Sequence, residues 1–156
     1  MKPIVKLIIS VAIPLIVGGV ASFFTMSSVK TWFVTLNKPF FNPPSWLFAP
    51  VWTMLYILMG IACYLVWKSV APQKIKRQAL TIYGIQLLLN FLWSFIFFYA
   101  KQPGWAVADI VLLLAAIITC IVYFRKISAS AAWLLVPYLC WVCFATALNT
   151  AIWQLN

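Results

Sequence analysis

Five long apolar runs constrain the fold of this chain more than any other feature. A helix that crosses the hydrocarbon core of a bilayer needs about 20 mostly apolar residues. The runs of that length are Val5–Met26, Ala49–Trp67, Ala79–Ala100, Trp105–Phe124 and Ala131–Trp153. Because the bilayer core leaves no water for exposed backbone groups, segments of this kind span it as helices. The sequence therefore predicts an all-α integral membrane protein, a five-helix bundle forming a single domain over residues 1–156.

The composition supports this class and excludes most catalytic chemistry. Of the 156 residues, 66% are hydrophobic and only 8% are charged, whereas a soluble domain carries about 25% charged residues. The chain has no histidine, and Asp109 is its single acidic residue. A carboxylate pair, a Ser-His-Asp triad and a histidine-ligated metal are therefore excluded. We interpret the four cysteines, including Cys140 and Cys143 on one helix face, as packing residues, and we expect no metal site.

The basic residues are distributed unequally between the two ends of the predicted bundle. Eight lie at the end with the N-terminus, namely Lys2, Lys6, Lys68, Lys74, Lys76, Arg77, Arg125 and Lys126. Only Lys30, Lys38 and Lys101 lie at the opposite end. This bias predicts a cytoplasmic N-terminus and an outer C-terminus. Because these residues are scattered over loops and form no basic helix face, we expect contact with membrane lipid and no nucleic-acid partner.

The segment Leu36–Trp52, with the sequence LNKPFFNPPSWLFAPVW, contains four prolines and five large aromatic residues. Proline fixes φ, lacks an N–H group and disfavours helical backbone in the residue before it. We therefore expect a stiff, extended segment and not a helix. It belongs to the one long connection, Ser27–Phe48, and long loops in compact proteins are often functional. We predict that the segment forms a lid over the mouth of the bundle.

Three of the predicted spans carry a face on which aromatic rings accompany amides or hydroxyls. Residues four apart share a helix face. These faces contain Trp52, Tyr56 and Gly60 in the second span, Gln86, Asn90 and Ser94 beside Trp93 in the third, and Tyr138, Trp141, Ala145 and Asn149 in the fifth. One interpretation is interhelical hydrogen bonding with aromatic packing. The interpretation that we favour is a cavity for a large, flat, partly polar ligand.

Three smaller features leave narrower expectations. Pro137 should kink the start of the fifth span. Ser10, Pro14, Gly18 and Ser22 form a small-residue stripe in the first span, suited to close helix contact or to dimerisation. Asp109 is either a proton-relay or counter-ion site, or an interfacial residue that forms hydrogen bonds or pairs with Lys101.

The sequence closely resembles the translocator protein family, also called the peripheral-type benzodiazepine receptor or tryptophan-rich sensory protein family. The longest motif is W-x3-L-N-K-P-x2-N-P-P-x-W-x-F-x-P-x-W-x2-L-Y-x2-M-G, from Trp32 to Gly60. The runs Q-L-x2-N-x2-W-x3-F-F (86–98) and P-Y-L-x-W-x3-A-T-x-L-N (137–149) resemble the third and fifth spans of the same family. The resemblance covers nearly the whole chain.

The resemblance implies a five-helix bundle, often a homodimer, that binds lipophilic small molecules beneath its first loop. The implied ligands are porphyrins such as protoporphyrin IX, cholesterol-like lipids and isoquinoline carboxamides, and no cofactor is required. Matched by position, the pocket would contain Trp52, Asn90, Ser94, Trp141 and Ala145, with Pro43 and Pro44 as its lid. Departures at Thr150 and Gln154 break the cholesterol-recognition motif of animal members, which argues against sterol binding and favours a bacterial plasma-membrane protein.

In bacterial members of the family, tryptophans matching Trp52 and Trp141 are associated with light- and oxygen-dependent breakdown of protoporphyrin. Such a reaction would exchange an electron between excited porphyrin and indole and would need no acid–base residues. The first hypothesis is therefore a porphyrin receptor or sensor that also degrades its ligand. The alternatives are a porphyrin or lipid transporter, although no internal repeat supports one, and a structural membrane subunit.

Overall fold

The computed structural model describes all 156 residues, and its regular structure is entirely helical. The helices are α1 (Pro3–Thr31), α2 (Ser45–Trp67), α3 (Gln73–Ser94), α4 (Pro103–Arg125), α5 (Ala129–Leu134) and α6 (Val136–Leu155). The last two follow each other directly and together make the fifth span. Five spans are thus long and apolar enough to cross a membrane, which confirms the predicted fold class.

The helices surround one core in the order α1, α2, α5–α6, α4 and α3, with α3 returning to α1. The short connections after α3 and α4 make α4 an antiparallel neighbour of both α3 and α6. We call the end with the N-terminus and the α2–α3 and α4–α5 connections the basic end. The opposite end, with the α1–α2 and α3–α4 connections and the last residue of the chain, is the lid end.

The expectation of an extended, non-helical segment from Leu36 to Trp52 was wrong for its second half. The first helix continues to Thr31, a 3-10 turn follows over Phe33–Thr35, and α2 already begins at Ser45. Only Leu36–Pro44, which we call the lid, is non-helical. Pro44 caps α2 with an extended backbone, and Pro50 lies within the helix. Pro50 removes one backbone hydrogen bond, while Phe48 and Trp52 of this part of α2 pack their rings against α6.

Two glycines allow α1 and α2 to approach each other closely. A methyl group at Gly60 would lie 2.5 Å from Cα of Val11 and 2.7 Å from the carbonyl oxygen of Ser10. A methyl group at Gly18 would collide with the ring of Tyr56. Ser10 and Gly18 are both buried. The stripe of small residues in the first span therefore allows close helix contact, which was one of the two interpretations offered, the other being dimerisation.

The ends of the third and fifth spans depart from regular α-helix. Residues Phe95–Tyr99 form a wider π-helical turn, and the chain then reverses at Lys101, whose φ is +55°. Turns of this kind in a helix often lie at functional sites. The fifth span breaks at Leu135, two residues before Pro137. Because the Pro137 nitrogen cannot donate to the preceding turn, the predicted kink is confirmed.

Candidate ligand-binding site

A cluster of aromatic side chains fills the lid end of the bundle. Phe33 and Phe97 are buried in it, and the rings of Phe41, Phe48 and Phe98 pack against it. Phe41 belongs to the lid, and its ring meets Phe144 of α6 edge to face with a centroid distance of 6.1 Å. Edge-to-face pairs contribute about 0.5–1.5 kcal/mol of stabilisation beyond the contribution of the area they bury. The lid is therefore held down by a ring that points into the bundle.

Hydrogen bonds at the last residue fasten the lid to the end of α6. The backbone N–H of Asn37 donates to Oδ1 of Asn156 over 3.0 Å, and Nδ2 of Asn156 donates back to the Asn37 carbonyl over 2.9 Å. Nδ2 of Asn156 also donates to the Ile152 carbonyl of α6 over 2.8 Å. Both asparagines are polar residues at the surface. The contact closes the lid without burying it.

A cleft of about 450 Å³ lies between α1, the start of α2 and the end of α3. Its inner wall contains Trp52 and Tyr56 of α2 and Trp93 of α3, while Gly18 and Thr25 of α1 face them. Its rim includes the exposed residues Ser22, Met26, Lys30, Ser45 and Thr53. The cleft therefore opens at the surface of the bundle between α1 and α2. Pockets for drug-sized ligands usually have volumes of about 300–1,000 Å³.

A second, much smaller void of about 30 Å³ lies deeper, beneath the lid and against α6. Trp141, Ala145 and Asn149 of α6 line it on one side. Trp52 and Trp93 line it on the other, and both also line the cleft. These two indoles therefore form part of the partition between the cleft and the void. Phe33, Phe48 and Phe98 also line both spaces and complete this partition.

Most polar groups on the predicted faces bond to one another between helices. The Tyr56 hydroxyl donates to Oδ1 of Asn90 over 3.0 Å, and Nδ2 of Asn90 donates to the Tyr138 hydroxyl over 2.8 Å. The Tyr138 hydroxyl in turn donates to Oε1 of Gln86 over 2.7 Å. The side chains of Gln86, Asn90 and Tyr138 are almost completely buried. This network connects α2, α3 and α6 through the middle of the membrane-spanning part.

A second polar contact holds one of the two partition indoles. Nε1 of Trp93 donates to Oδ1 of Asn149 over 2.9 Å, and Nδ2 of Asn149 donates to the Pro103 carbonyl over 3.0 Å. Three helices, α3, α6 and α4, are joined in this way. Trp52 is held only by ring contacts, with Tyr56 at 5.6 Å and Tyr138 at 6.4 Å between centroids. Of the two indoles, Trp93 is therefore the one whose position is fixed by a hydrogen bond.

The structure divides the predicted site residues into three groups. Those lining the cleft or the void are Trp52, Tyr56, Trp93, Ser94, Trp141, Ala145 and Asn149. Gln86, Asn90 and Tyr138 line neither space and lie in helix interfaces. Pro43 and Pro44 belong to the lid but line neither space. The third span thus contributes its indole and Ser94 to the cavities and its amides to helix packing.

Sequence reasoning missed the contribution of α1 and of several phenylalanines. Gly18, Ser22 and Thr25 of α1 form the outer wall of the cleft, and Phe33 and Phe48 line both spaces. The small-residue stripe in α1 was a usable signal, since small side chains leave room for a ligand as well as for a helix. Asp109 is buried on α4, and no other residue bonds to its Oδ2.

The fold and the site together define a five-span integral membrane protein with an aromatic-walled cleft near one end of the bundle. The family model described as TspO/MBR family matches residues 10–154. The chain belongs to this family, which confirms the resemblance drawn from its motifs. Membership also supports a role as a membrane sensor or receptor.

Several relatives match most of the length of the chain. The chain is 46% identical over 153 residues to the tryptophan-rich protein TspO of Archaeoglobus fulgidus, covering 98% of each. It is 41% identical over 138 residues to the human translocator protein, covering 88% of this chain and 82% of that one. It is 38% identical over 139 residues to the tryptophan-rich sensory protein of Cereibacter sphaeroides, covering 89% and 85% respectively.

Proposed function

We propose that this protein is a membrane receptor or sensor that binds porphyrins, protoporphyrin IX among them, in the cleft between α1 and α2. The observation that carries the proposal is the position of Trp52 and Trp93, whose indoles lie between the cleft and the void under the lid. Flat aromatic ligands pack well against such rings. Membership in a family that includes a tryptophan-rich sensory protein agrees with a sensory function.

The chemistry of the cleft suits a ligand that is mostly apolar and carries a few polar groups. Its walls are rings and small side chains, with the hydroxyls of Ser22, Thr25 and Thr53 among them. Lys30 lies at the rim, where an ammonium group would meet the carboxylates of a porphyrin. Because the rim lies on the outer surface of a membrane-spanning bundle, we propose that the ligand enters laterally from the bilayer.

We further propose that light-excited porphyrin exchanges an electron with Trp52 or Trp141 when oxygen is present, and that the porphyrin is then degraded. Trp52 lines both spaces, whereas Trp141 lines only the void. Trp52 would therefore contact a ligand in the cleft, and Trp141 would contact it only after the partition has moved. Neither step needs an acid or a base, in agreement with a chain that has one acidic residue and no histidine.

The remaining parts of the proposal concern the cellular setting. We propose a bacterial plasma membrane, because the cholesterol-recognition motif of animal members is broken at Thr150 and Gln154. We propose that the basic end faces the cytoplasm and the lid end the outside, because eight of the eleven basic residues lie at the basic end. We also propose a homodimer, by analogy with the family. Cysteine accessibility from each side of sealed vesicles, and mass measurement in mild detergent, test these two points.

The first experiment is a titration of the detergent-purified protein with protoporphyrin in the dark. Tryptophan emission and the porphyrin absorption band are followed together. We expect saturable quenching that weakens in Trp52→Phe and persists in Trp46→Phe, since Trp46 is exposed outside the cleft. Quenching that does not saturate, and is the same in all three proteins, would show partitioning into the micelle. The internal hydrogen-bond network would then favour a structural subunit.

A further inference from the structure

A pocket at the basic end of the bundle has no part in the proposed porphyrin site. We propose that it binds the phosphate headgroup of an anionic phospholipid. The pocket has a volume of about 530 Å³ and lies between the start of α1, the end of α2 and the start of α3. Lys6, Lys76 and Arg77 line it, together with Trp67, Gln73 and Leu80. Three cations from two helices thus surround one concave space.

No acidic side chain neutralises these cations. The only acidic residue, Asp109, lies in the second turn of α4, which begins at the lid end. The rest of that helix, to Arg125, is about 24 Å long at 1.5 Å per residue. The charge of the pocket must therefore be balanced by ions or ligands from outside the chain. Basic pockets between membrane helices are typical binding places for anionic headgroups.

Two contacts fix the positions of the lysines. Nζ of Lys76 donates to the Ser69 carbonyl over 2.9 Å, which holds it at the α2–α3 connection and leaves further N–H groups for a ligand. Nζ of Lys6 lies 5.5 Å from the centre of the Trp67 ring, within the range of a cation–π contact. Both side chains are half-buried, whereas Arg77 is exposed. The pocket is therefore largely formed before any ligand arrives.

The surroundings distinguish a lipid from a soluble anion. Trp67 and Leu80 bring apolar surface to the same pocket that holds the cations. The pocket lies at the ends of membrane-spanning helices, where headgroups are found and where acyl chains can follow the helix surfaces. The start of α3 has no side-chain cap, so its free N–H groups add to the attraction for an anion. An anionic phospholipid uses the cations and the apolar surface together.

Lipid retention by the full chain, measured by native mass spectrometry, tests the proposal. Phosphatidylglycerol and phosphatidylcholine of the same acyl composition are offered in equal amounts. We expect the wild type to prefer phosphatidylglycerol, and the triple variant Lys6→Gln, Lys76→Gln, Arg77→Gln to lose the preference. Removing one basic residue near a membrane surface weakens such binding about fivefold. The single variant Arg77→Gln, at an exposed position, should show that smaller loss even if the triple variant does not fold.

A matched control separates the pocket from the general charge of the basic end. The triple variant Lys68→Gln, Lys74→Gln, Lys126→Gln removes the same charge from positions that do not line the pocket, and it should retain the preference. Equal loss in both triple variants would overturn the proposal in favour of diffuse surface charge. If the wild type retains the two lipids equally and excess inorganic phosphate displaces them, the pocket would instead be a site for soluble phosphate. Failed porphyrin binding would leave these outcomes unchanged.

Discussion

The side-chain amide of Asn90 donates a 2.8 Å hydrogen bond to the hydroxyl of Tyr138, from near the end of α3 to the start of α6. The same amide accepts from Tyr56 of α2, so one side chain joins three spans. Asn90 is 1% exposed, and it lines neither the cleft nor the void. A residue that the sequence places in a ligand pocket thus carries a structural contact, and its substitution should show this.

We predict that Asn90→Ala lowers the stability of the bundle by about 1–2 kcal/mol. Interhelical hydrogen bonds in membranes contribute about 0.6 kcal/mol on average, and two are lost while two buried hydroxyls lose a partner. Thermal unfolding in detergent, followed by tryptophan emission, measures the loss. Thr119→Ala is the control, because that exposed hydroxyl bonds only within its own helix. Unchanged stability with abolished ligand binding would place Asn90 in the ligand site instead.

The contact between α1 and α2 gives a second prediction, at Gly60. Gly60→Ala should destabilise the protein by about 1–3 kcal/mol, because the added methyl group meets the backbone of α1, which cannot rotate away. Gly84→Ala is the matched control, since nothing lies within 4 Å of a methyl group there. It should be neutral or stabilise by up to about 1 kcal/mol through helix propensity. Equal effects in the two variants would contradict the close approach.

The lid gives a third prediction. Replacing Pro43 and Pro44 together by alanine should weaken porphyrin binding more than it lowers folding stability. A proline whose native backbone is compatible contributes about 0.4–1 kcal/mol by reducing the conformational entropy of the flexible chain. The other contacts that hold the lid are those of Phe41 and the Asn37–Asn156 pair. Affinity is measured by the dark titration and stability by thermal unfolding. Equal losses in both would show that the segment acts in folding alone.

The rim of the cleft gives a fourth prediction, which concerns Lys30. Lys30→Gln should weaken binding of protoporphyrin by up to about fivefold, the limit for an exposed ion pair. Binding of the uncharged protoporphyrin dimethyl ester should not change. Lys101→Gln removes the same charge from the same end outside the cleft, so it serves as the control. A loss of the same size for the ester would mean that Lys30 acts through the shape of the cleft.

Illumination of the complex gives a fifth prediction. In the presence of oxygen, Trp52→Phe should slow porphyrin loss several-fold and Trp141→Phe should slow it less, because Trp52 lines both spaces. Absorption spectra at equal bound porphyrin measure the rate. Trp133→Phe, at an exposed indole near the basic end, is the control. Loss at the same rate in all four proteins would indicate a reaction of free porphyrin with oxygen, in which these indoles have no part.

Hydropathy alone determined the number and order of the spans. The period of four then determined which residues share a face, and it placed Tyr56, Asn90 and Tyr138 inside the bundle, where they lie. The motifs determined the family. Proline content misled at Ser45–Trp52, because local backbone preference was considered without the packing of the Phe48 and Trp52 rings against α6.

The tertiary structure alone decided what each inner face meets. Spacing places an amide on a helix face but does not identify its partner. It therefore could not show that Asn90 forms a hydrogen bond between helices whereas Trp52 lines the cavities. Nor could it show α1 as the outer wall of the cleft, or bring Lys6 beside Lys76 and Arg77. Those relationships join residues far apart in the chain. Their positions are fixed by how helices pack across the bundle, and a periodic pattern within one helix carries no information about that packing.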